Sequence, residues 1–263
     1  MTEMPQLKNK ILAITRSDRD AKEFLQLVKE QGGRAIPLPT IEIVPKDPQV
    51  AEEFLDKLRK KKHHYCAFMS QQAVSVLFDL AYDKVAPVLK STTVIAVGPK
   101  TKQILEERGI EVGIVLKKFS SGGLIDLMSE IEQPAGKKII IPRSGAANEF
   151  VAESLTRLGM DVDEVLLYTV RTRIMIEPIW REFSNLLLQK SVDAVIFTSA
   201  SNVNSFFEIM DRMSKAKLQL DTLTKVVSIG PLTSKALGDK GIEYFEAKEH
   251  TVKGSLQIAK EIV

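Results

Sequence analysis

The chain has 263 residues, with 37 Lys and Arg against 34 Asp and Glu, 44% hydrophobic and 27% charged residues. That length suits two domains or one large α/β domain, and the composition excludes disorder or low complexity as a description of the whole. A net charge of +3 is too weak to argue for nucleic acid, no apolar run reaches the roughly 18 residues of a membrane helix, and a single cysteine, Cys66, excludes an intramolecular disulfide framework and a multi-cysteine metal site.

The first ten residues carry no apolar signal region, so a cytoplasmic protein is expected. Residues 10–15 then form the first apolar run, followed by an amphipathic helix over 18–31 with Ala21, Phe24, Leu25 and Val28 on one face. Further strands are predicted at 34–37, 66–69, 94–97 and 113–116. The second half gives strands at 138–141, 161–165, 194–197, 226–229 and 243–246. These runs are apolar throughout rather than alternating, as strands covered on both faces are. Glycines 32, 109, 159 and 241 follow helices, where a left-handed cap is expected. The alternation of strand and helix predicts an α/β fold of two doubly wound, mainly parallel sheets. Two extended segments, 37–45 and 164–173, occupy similar places in the two halves and read as linkers between domains. The chain then leaves one domain near 40 and returns near 170, although periodicity alone does not decide it.

The halves repeat each other. Residues 92–112 and 224–244 share nine of 21 positions at a shift of 132, where unrelated windows would share roughly one or two. The same shift aligns 120–124 with 252–256. A shift of 129 pairs Phe68, Ser70, Val74 and Phe78 with Phe197, Ser199, Val203 and Phe207. A shift of 127 pairs Arg16, Ser17 and Gly32 with Arg143, Ser144 and Gly159. A duplicated unit of about 130 residues follows.

Dinucleotide, P-loop, zinc and redox signatures are all missing, so neither metal nor cofactor is expected. His63 and His64 close a basic run and read as a solvated helix end, and His250 reads as surface. Cys66 reads as a small core residue and Trp180 as a helix anchor. What remains is polar chemistry after the strands: Arg16, Ser70, Thr101, Arg143, Ser144, Thr198, Ser199, Ser201, Asn202, Gly230 and Thr233. In open parallel sheets ligands bind at the carboxyl ends of strands, near helix N-termini whose free N–H groups favour anions. Ser, Thr and Asn also stand there simply as helix caps. Six such turns with two arginines fit an anion-binding cleft, with Arg16 and Arg143 as candidate clamps.

Thr15-Arg16, the run Phe-Thr-Ser-Ala-Ser-Asn at 197–202, Ile-Gly-Pro-x-Thr at 229–233, Leu-Leu-Tyr-x-Val at 166–170 and Thr-Val-x-Gly-Ser-Leu at 251–256 stand in order along nearly the whole chain. In this the sequence resembles the uroporphyrinogen-III synthase family. It departs at 69–72, where Met-Ser-Gln-Gln replaces the fuller motif of the second half. The resemblance implies two HemD-like (flavodoxin-like) domains with parallel sheets, at 1–38 plus 171–263 and at 45–165, with linkers about 37–47 and 165–173. It implies ring closure of hydroxymethylbilane to uroporphyrinogen III without metal or coenzyme. The substrate would be a linear tetrapyrrole polycarboxylate, taken up by a cytoplasmic monomer, with hydroxymethylbilane synthase as a source. Tyr168 becomes the candidate acid for the departing hydroxyl, with packing between domains as its alternative role. A two-domain, hinge-closing binder of a small anion is the rival reading. Isomer analysis of the closed porphyrin separates the two, because a binder leaves spontaneous closure to the type I isomer unchanged.

Overall fold

Runs such as Ile-Leu-Ala-Ile and Ala-Val-Ile-Phe send alternate side chains to opposite faces and have no polar face to leave in water. In the computed structural model, which describes residues 6–145, 149–175, 178–213, 220 and 223–263, they become inner strands covered on both sides. The first five residues of the polar N-terminal stretch lie outside this range. In chain order the elements are β1 (Ile11–Ile14), α1 (Asp18–Glu30), β2 (Arg34–Pro37), β3 (Ile41–Pro45), α2 (Gln49–Lys61), β4 (Tyr65–Phe68), α3 (Gln71–Leu89), β5 (Thr93–Ala96), α4 (Pro99–Glu106), β6 (Ile114–Val115), α5 (Ser121–Glu130), β7 (Lys138–Ser144), α6 (Phe150–Arg157) and β8 (Asp161–Thr172). The remainder is α7 (Pro178–Leu188), β9 (Ala194–Phe197), α8 (Ala200–Met213), β10 (Lys225–Ser228), α9 (Pro231–Gly238), β11 (Phe245–Glu246) and α10 (Val252–Ile262).

Two units result: Met1–Glu42 with Arg171–Val263, and Ile43–Val170. The first has the strand order β11-β10-β9-β1-β2, all parallel. The second repeats it as β6-β5-β4-β7-β8 and adds β3 beside β8. The opening strand–helix–strand of each repeat therefore sits with the remainder of the other repeat. The segments expected as extended linkers are β3 and the far end of β8. Arg173 N–H donates to Thr40 O and Lys46 N–H to Leu167 O, so these two strands pair antiparallel within a fold otherwise parallel.

In the first unit, Ala13, Val195 and Phe197 join Trp180, Phe183 and Phe206 on one face of the sheet, while Leu12, Ile14 and Ile196 join Phe24 and Val28 on the other. Trp180 anchors α7 as expected. It is fully buried, packs 5.5 Å from Phe206, and donates its indole N–H to Pro39 O at 3.1 Å. In the second unit, Cys66, Phe68 and Ile140 face Phe54 and Phe78, and Ala67, Ile139 and Ile141 face Leu124 and Leu155. Burial pushes the Cys66 thiol well above its usual range, as befits a core residue. The helix-following glycines 32, 109, 159 and 241 all have φ between +72° and +82°.

Two expectations are corrected. The alignment of 120–124 with 252–256 slips by one: Ser120 and Thr251 are the caps of α5 and α10, and the pair Gly123 and Gly254 fixes the shift at 131. A Cβ on either glycine would meet a backbone carbonyl, Lys118 O at 2.0 Å or Glu249 O at 2.1 Å. The second correction concerns His63, which is buried rather than solvated. Its Nε2 lies 2.9 Å from Asp163 Oδ2 on β8, a partner a hundred residues away that the local basic run could not reveal. His64 and His250 are exposed.

Candidate functional site

In each unit the chain runs to opposite sides of the sheet at one point, between β7 and β4 in the second unit and between β1 and β9 in the first. The carboxyl ends of these strands leave a crevice there. The sequence puts hydroxyls and arginines at both places.

In the second unit the crevice is a cavity of about 370 Å³ lined by Met69, Ser70, Ser121, Arg143, Ser144 and Tyr168 among others. Tyr168 reaches it because β8 bulges against β7. The register runs Arg143 with Leu166 and then Ser144 with Tyr168, so Leu166 turns to solvent while Leu167 and Tyr168 are both buried. Gly145 N–H closes the bulge on Tyr168 O at 2.8 Å. The phenol oxygen lies 3.1 Å from Ser70 Oγ, and the same Oγ accepts Ala73 N–H to cap α3. Ser70 is thus at once a cap and the partner of Tyr168. Arg143, expected as a candidate clamp, has a nearly buried side chain whose guanidinium is ion-paired with Glu164. A ligand carboxylate at this arginine therefore shares it with Glu164. Thr101 is buried in the first turn of α4, away from the cavity lining, and its hydroxyl meets no described residue.

In the first unit the hydroxyls are mostly committed to one another. Thr15 donates to Ile196 O and accepts Thr198 N–H, and Thr198 returns its hydroxyl to Thr15 O at 3.0 Å. Asn202 donates to Thr198 Oγ1 at 2.9 Å and accepts the Thr40 hydroxyl at 2.5 Å. Thr198, half-buried, and Asn202, both expected as ligand-binding groups, are therefore engaged in a hydrogen-bond network that ties β1, β9 and α8 together. Ser199 caps α8 by accepting Asn202 N–H, while Ser201 is exposed in its first turn. Arg16 is half-buried with no ion pair among the described residues. Burial lowers its guanidinium below the usual range, against the raising influence of Asp20 and Glu23. Gly230 begins α9, and buried Thr233 keeps a hydroxyl that meets no described residue.

The structure thus gathers Ser70, Arg143, Ser144 and Tyr168 around one cavity, and places Arg16, Ser199, Ser201, Gly230 and Thr233 along one sheet edge. Sequence reasoning missed Glu164 and Thr40, whose partners lie 21 and 162 residues away. Among the described residues, no helix is long and apolar enough to cross a membrane, and no group of three or more His, Cys, Asp or Glu could hold a metal ion.

Such an architecture, two exchanged repeats of a doubly wound unit with hydroxyl and guanidinium groups at the carboxyl edges of their strands, defines a class of internally duplicated α/β proteins. The chain belongs to the uroporphyrinogen-III synthase HemD family, whose sequence profile matches residues 22–257. It is 29% identical over 242 residues to a Methanothermobacter thermautotrophicus protein provisionally given that activity, covering 92% of this chain and 94% of the other. It is 27% identical over 250 residues to the uroporphyrinogen-III synthase of Chlorobaculum parvum, covering 90% and 94%. The fold is that of the Helicobacter pylori uroporphyrinogen-III synthetase, with a TM-score of 0.63 at 18% identity over 97% of this chain and 100% of that one. Family membership makes this protein an enzyme of tetrapyrrole biosynthesis.

Proposed function

We propose that this protein closes hydroxymethylbilane to uroporphyrinogen III, with Tyr168 assisting departure of the hydroxyl. The observation that carries the role of Tyr168 is its placement: a buried phenol on a strand bulge, held by Ser70, at the wall of a cavity. That cavity lies at the lower end of ordinary ligand sites and admits one pyrrole with its acid side chains rather than four. The terminal ring that carries the hydroxymethyl group is the part that needs such enclosure.

The chemistry asks little of the protein. The electron-rich pyrrole expels hydroxide, which takes a proton and leaves as water, giving an azafulvene. Ring D attacks through its substituted carbon, the spiro intermediate fragments, and reclosure with loss of a proton leaves that ring inverted. The pyrroles supply the electrons, so neither metal nor coenzyme enters the proposal. The phenol of Tyr168 donates to the departing oxygen, and Ser70 fixes its direction. The remaining work is to hold one approach geometry, which is catalysis by proximity and orientation. Carboxylates of the substrate would meet Arg16, Arg143 beside Glu164, the hydroxyls of Thr101 and Thr233, and the helix N-termini at Ser199 and Gly230. A cytoplasmic monomer that receives its unstable substrate from the synthase before it completes the proposal.

Incubation with hydroxymethylbilane, oxidation and separation of the porphyrin isomers tests this. The type III isomer is expected, and only the type I isomer would overturn the assignment. Tyr168→Phe should slow turnover about 10²–10⁴-fold, the range for a positioned acid. Full turnover with pure type III product would remove Tyr168 from the role.

A further inference from the structure

The turns after β5 and β10 begin with glycines that each lie under a ring. A Cβ at Gly98 would come 3.3 Å from Cγ of Phe119, and one at Gly230 would come 3.1 Å from Cγ of His250. Phe119 and His250 are repeat partners. Each directly precedes the cap, Ser120 or Thr251, of the last helix in its unit. Both rings remain open to solvent, Phe119 at 63% and the His250 side chain at 56%. A large apolar ring pinned against backbone and left that exposed gains little from its own fold, so its flat face is free for something else.

The two positions differ in chemistry, and the difference extends inward. His250 Nε2 lies 3.7 Å from Glu246 Oε1, and the other Glu246 oxygen accepts the Ser234 hydroxyl. Ser234 Oγ is 2.8 Å from Ser228 Oγ, and Ser228 in turn donates to Gly230 O. This polar column ends at Glu246, which lies beyond hydrogen-bond distance of His250, so the imidazole keeps its N–H for another acceptor. In the other unit the four corresponding residues are Ala96, Lys102, Val115 and Phe119, and the column is gone. Ser228, Glu246 and His250 give way to Ala96, Val115 and Phe119, each losing its polar group. A ring that only sealed the glycine turn would need no polar column beneath it in one unit and no different chemistry in the other.

Resting on the reading of the substrate as a linear tetrapyrrole polycarboxylate, we propose that Phe119 and His250 are substrate-contact residues of unequal kind. His250 donates an imidazole N–H to a carboxylate, and Phe119 covers the flat face of a pyrrole. Each ring of such a substrate joins an apolar plane to acidic arms, so a site that grips it needs both chemistries. Phe119 in its unit can serve the first and His250 in its unit the second, each tested by itself below.

The test uses the full-length protein with hydroxymethylbilane, measuring KM, kcat, isomer content and melting temperature. His250→Phe keeps a ring over Gly230, as its repeat partner does over Gly98, but deletes the N–H. It should raise KM about 5–30-fold with kcat within about threefold. His250→Gln retains a donor and should recover most of the loss. Phe119→Leu keeps bulk but not the flat face and should raise KM about 3–10-fold. All three should melt close to the wild type. If KM stays within twofold in both His250→Phe and Phe119→Leu while the wild type makes the type III isomer, the contact assignment falls and the catalytic reading stands. A His250→Gln variant as impaired as His250→Phe, with a lowered melting temperature in both, would reduce His250 to a structural prop and overturn the proposal. Type I product alone from the wild type would remove the substrate reading, and this inference with it.

Discussion

Replacing Asp163 by Asn removes the charge on which three basic side chains of one corner converge: Lys57 at 3.4 Å, Lys61 at 2.8 Å and His63 at 2.9 Å. Burial alone would raise this carboxyl. Hydrogen bonds from Lys61 and His63 and the charges of Lys57 and Lys61 outweigh it and bring the pKa from 3.8 to about 2. At 1.36 kcal/mol per pH unit that depression is worth about 2.4 kcal/mol, which solvent screening at the two part-exposed lysines reduces to about 1–2 kcal/mol. The sign follows from linkage. A carboxylate whose folded pKa lies below its unfolded value contributes its full stabilisation above about pH 5 and loses it as the pH falls through 4 toward 2. Urea unfolding of the wild type and Asp163→Asn should therefore show a gap of about 1–2 kcal/mol at pH 7 that narrows below pH 4 and closes near pH 2. An Asn variant as stable as the wild type at pH 7, or a gap that ignores pH, would refute the reasoning.

Thr233→Val and Thr101→Val each delete a hydroxyl that meets no described residue, so stability should hold while substrate binding weakens by about 1–3 kcal/mol, read as KM. Unchanged kinetics in both would leave these threonines as helix-end packing. Gly123→Ala and Gly254→Ala place a methyl group against a backbone carbonyl, and each should lose at least about 1–3 kcal/mol by chemical denaturation. Normal stability in either would mean that the loop before that helix yields freely. Exhaustive chelation and dialysis should leave turnover intact. Restoration of lost activity by a divalent cation would contradict the proposed mechanism.

The duplication made much of the fold legible. Strands 34–37 and 194–197 were bounded to the residue, because short apolar runs between polar turns leave little room to slip. The segment at 164–173 was harder: it reads as a linker because it is extended and separates the opening strand–helix–strand from the rest of its repeat, as 37–45 does, yet β8 continues through it with β3 as a neighbour. Only a long-range pairing makes it strand. At the site, the residue types at the strand ends were visible, but their commitments were not. Thr198 and Asn202 look identical in sequence whether they hold a ligand or hold Thr15 and Thr40. Arg143 gives no sign that Glu164 will stand beside it. Residue type sets what a side chain can bind, and tertiary neighbours decide whether it is already bound.

The exchange of opening segments between repeats has a consequence for how the chain is born. Ile43–Val170 is contiguous, so everything that unit needs has left the ribosome once residue 170 has, and domains tend to fold as units in order of synthesis. The other unit cannot follow that order. β1 and β2 emerge first, yet β1 finds its second neighbour only when β9 arrives, with Ile14 paired to Ile196. Through that interval Leu12 and Ile14 have a helix and one strand for company, and the opposite edge of β1 stands open. Loop closure over so long a separation is slow, and an unpaired apolar edge is the kind that other chains adopt. The later-made unit is therefore the one whose assembly sets the pace, and the one most exposed to chaperones and to aggregation while the earlier strands wait.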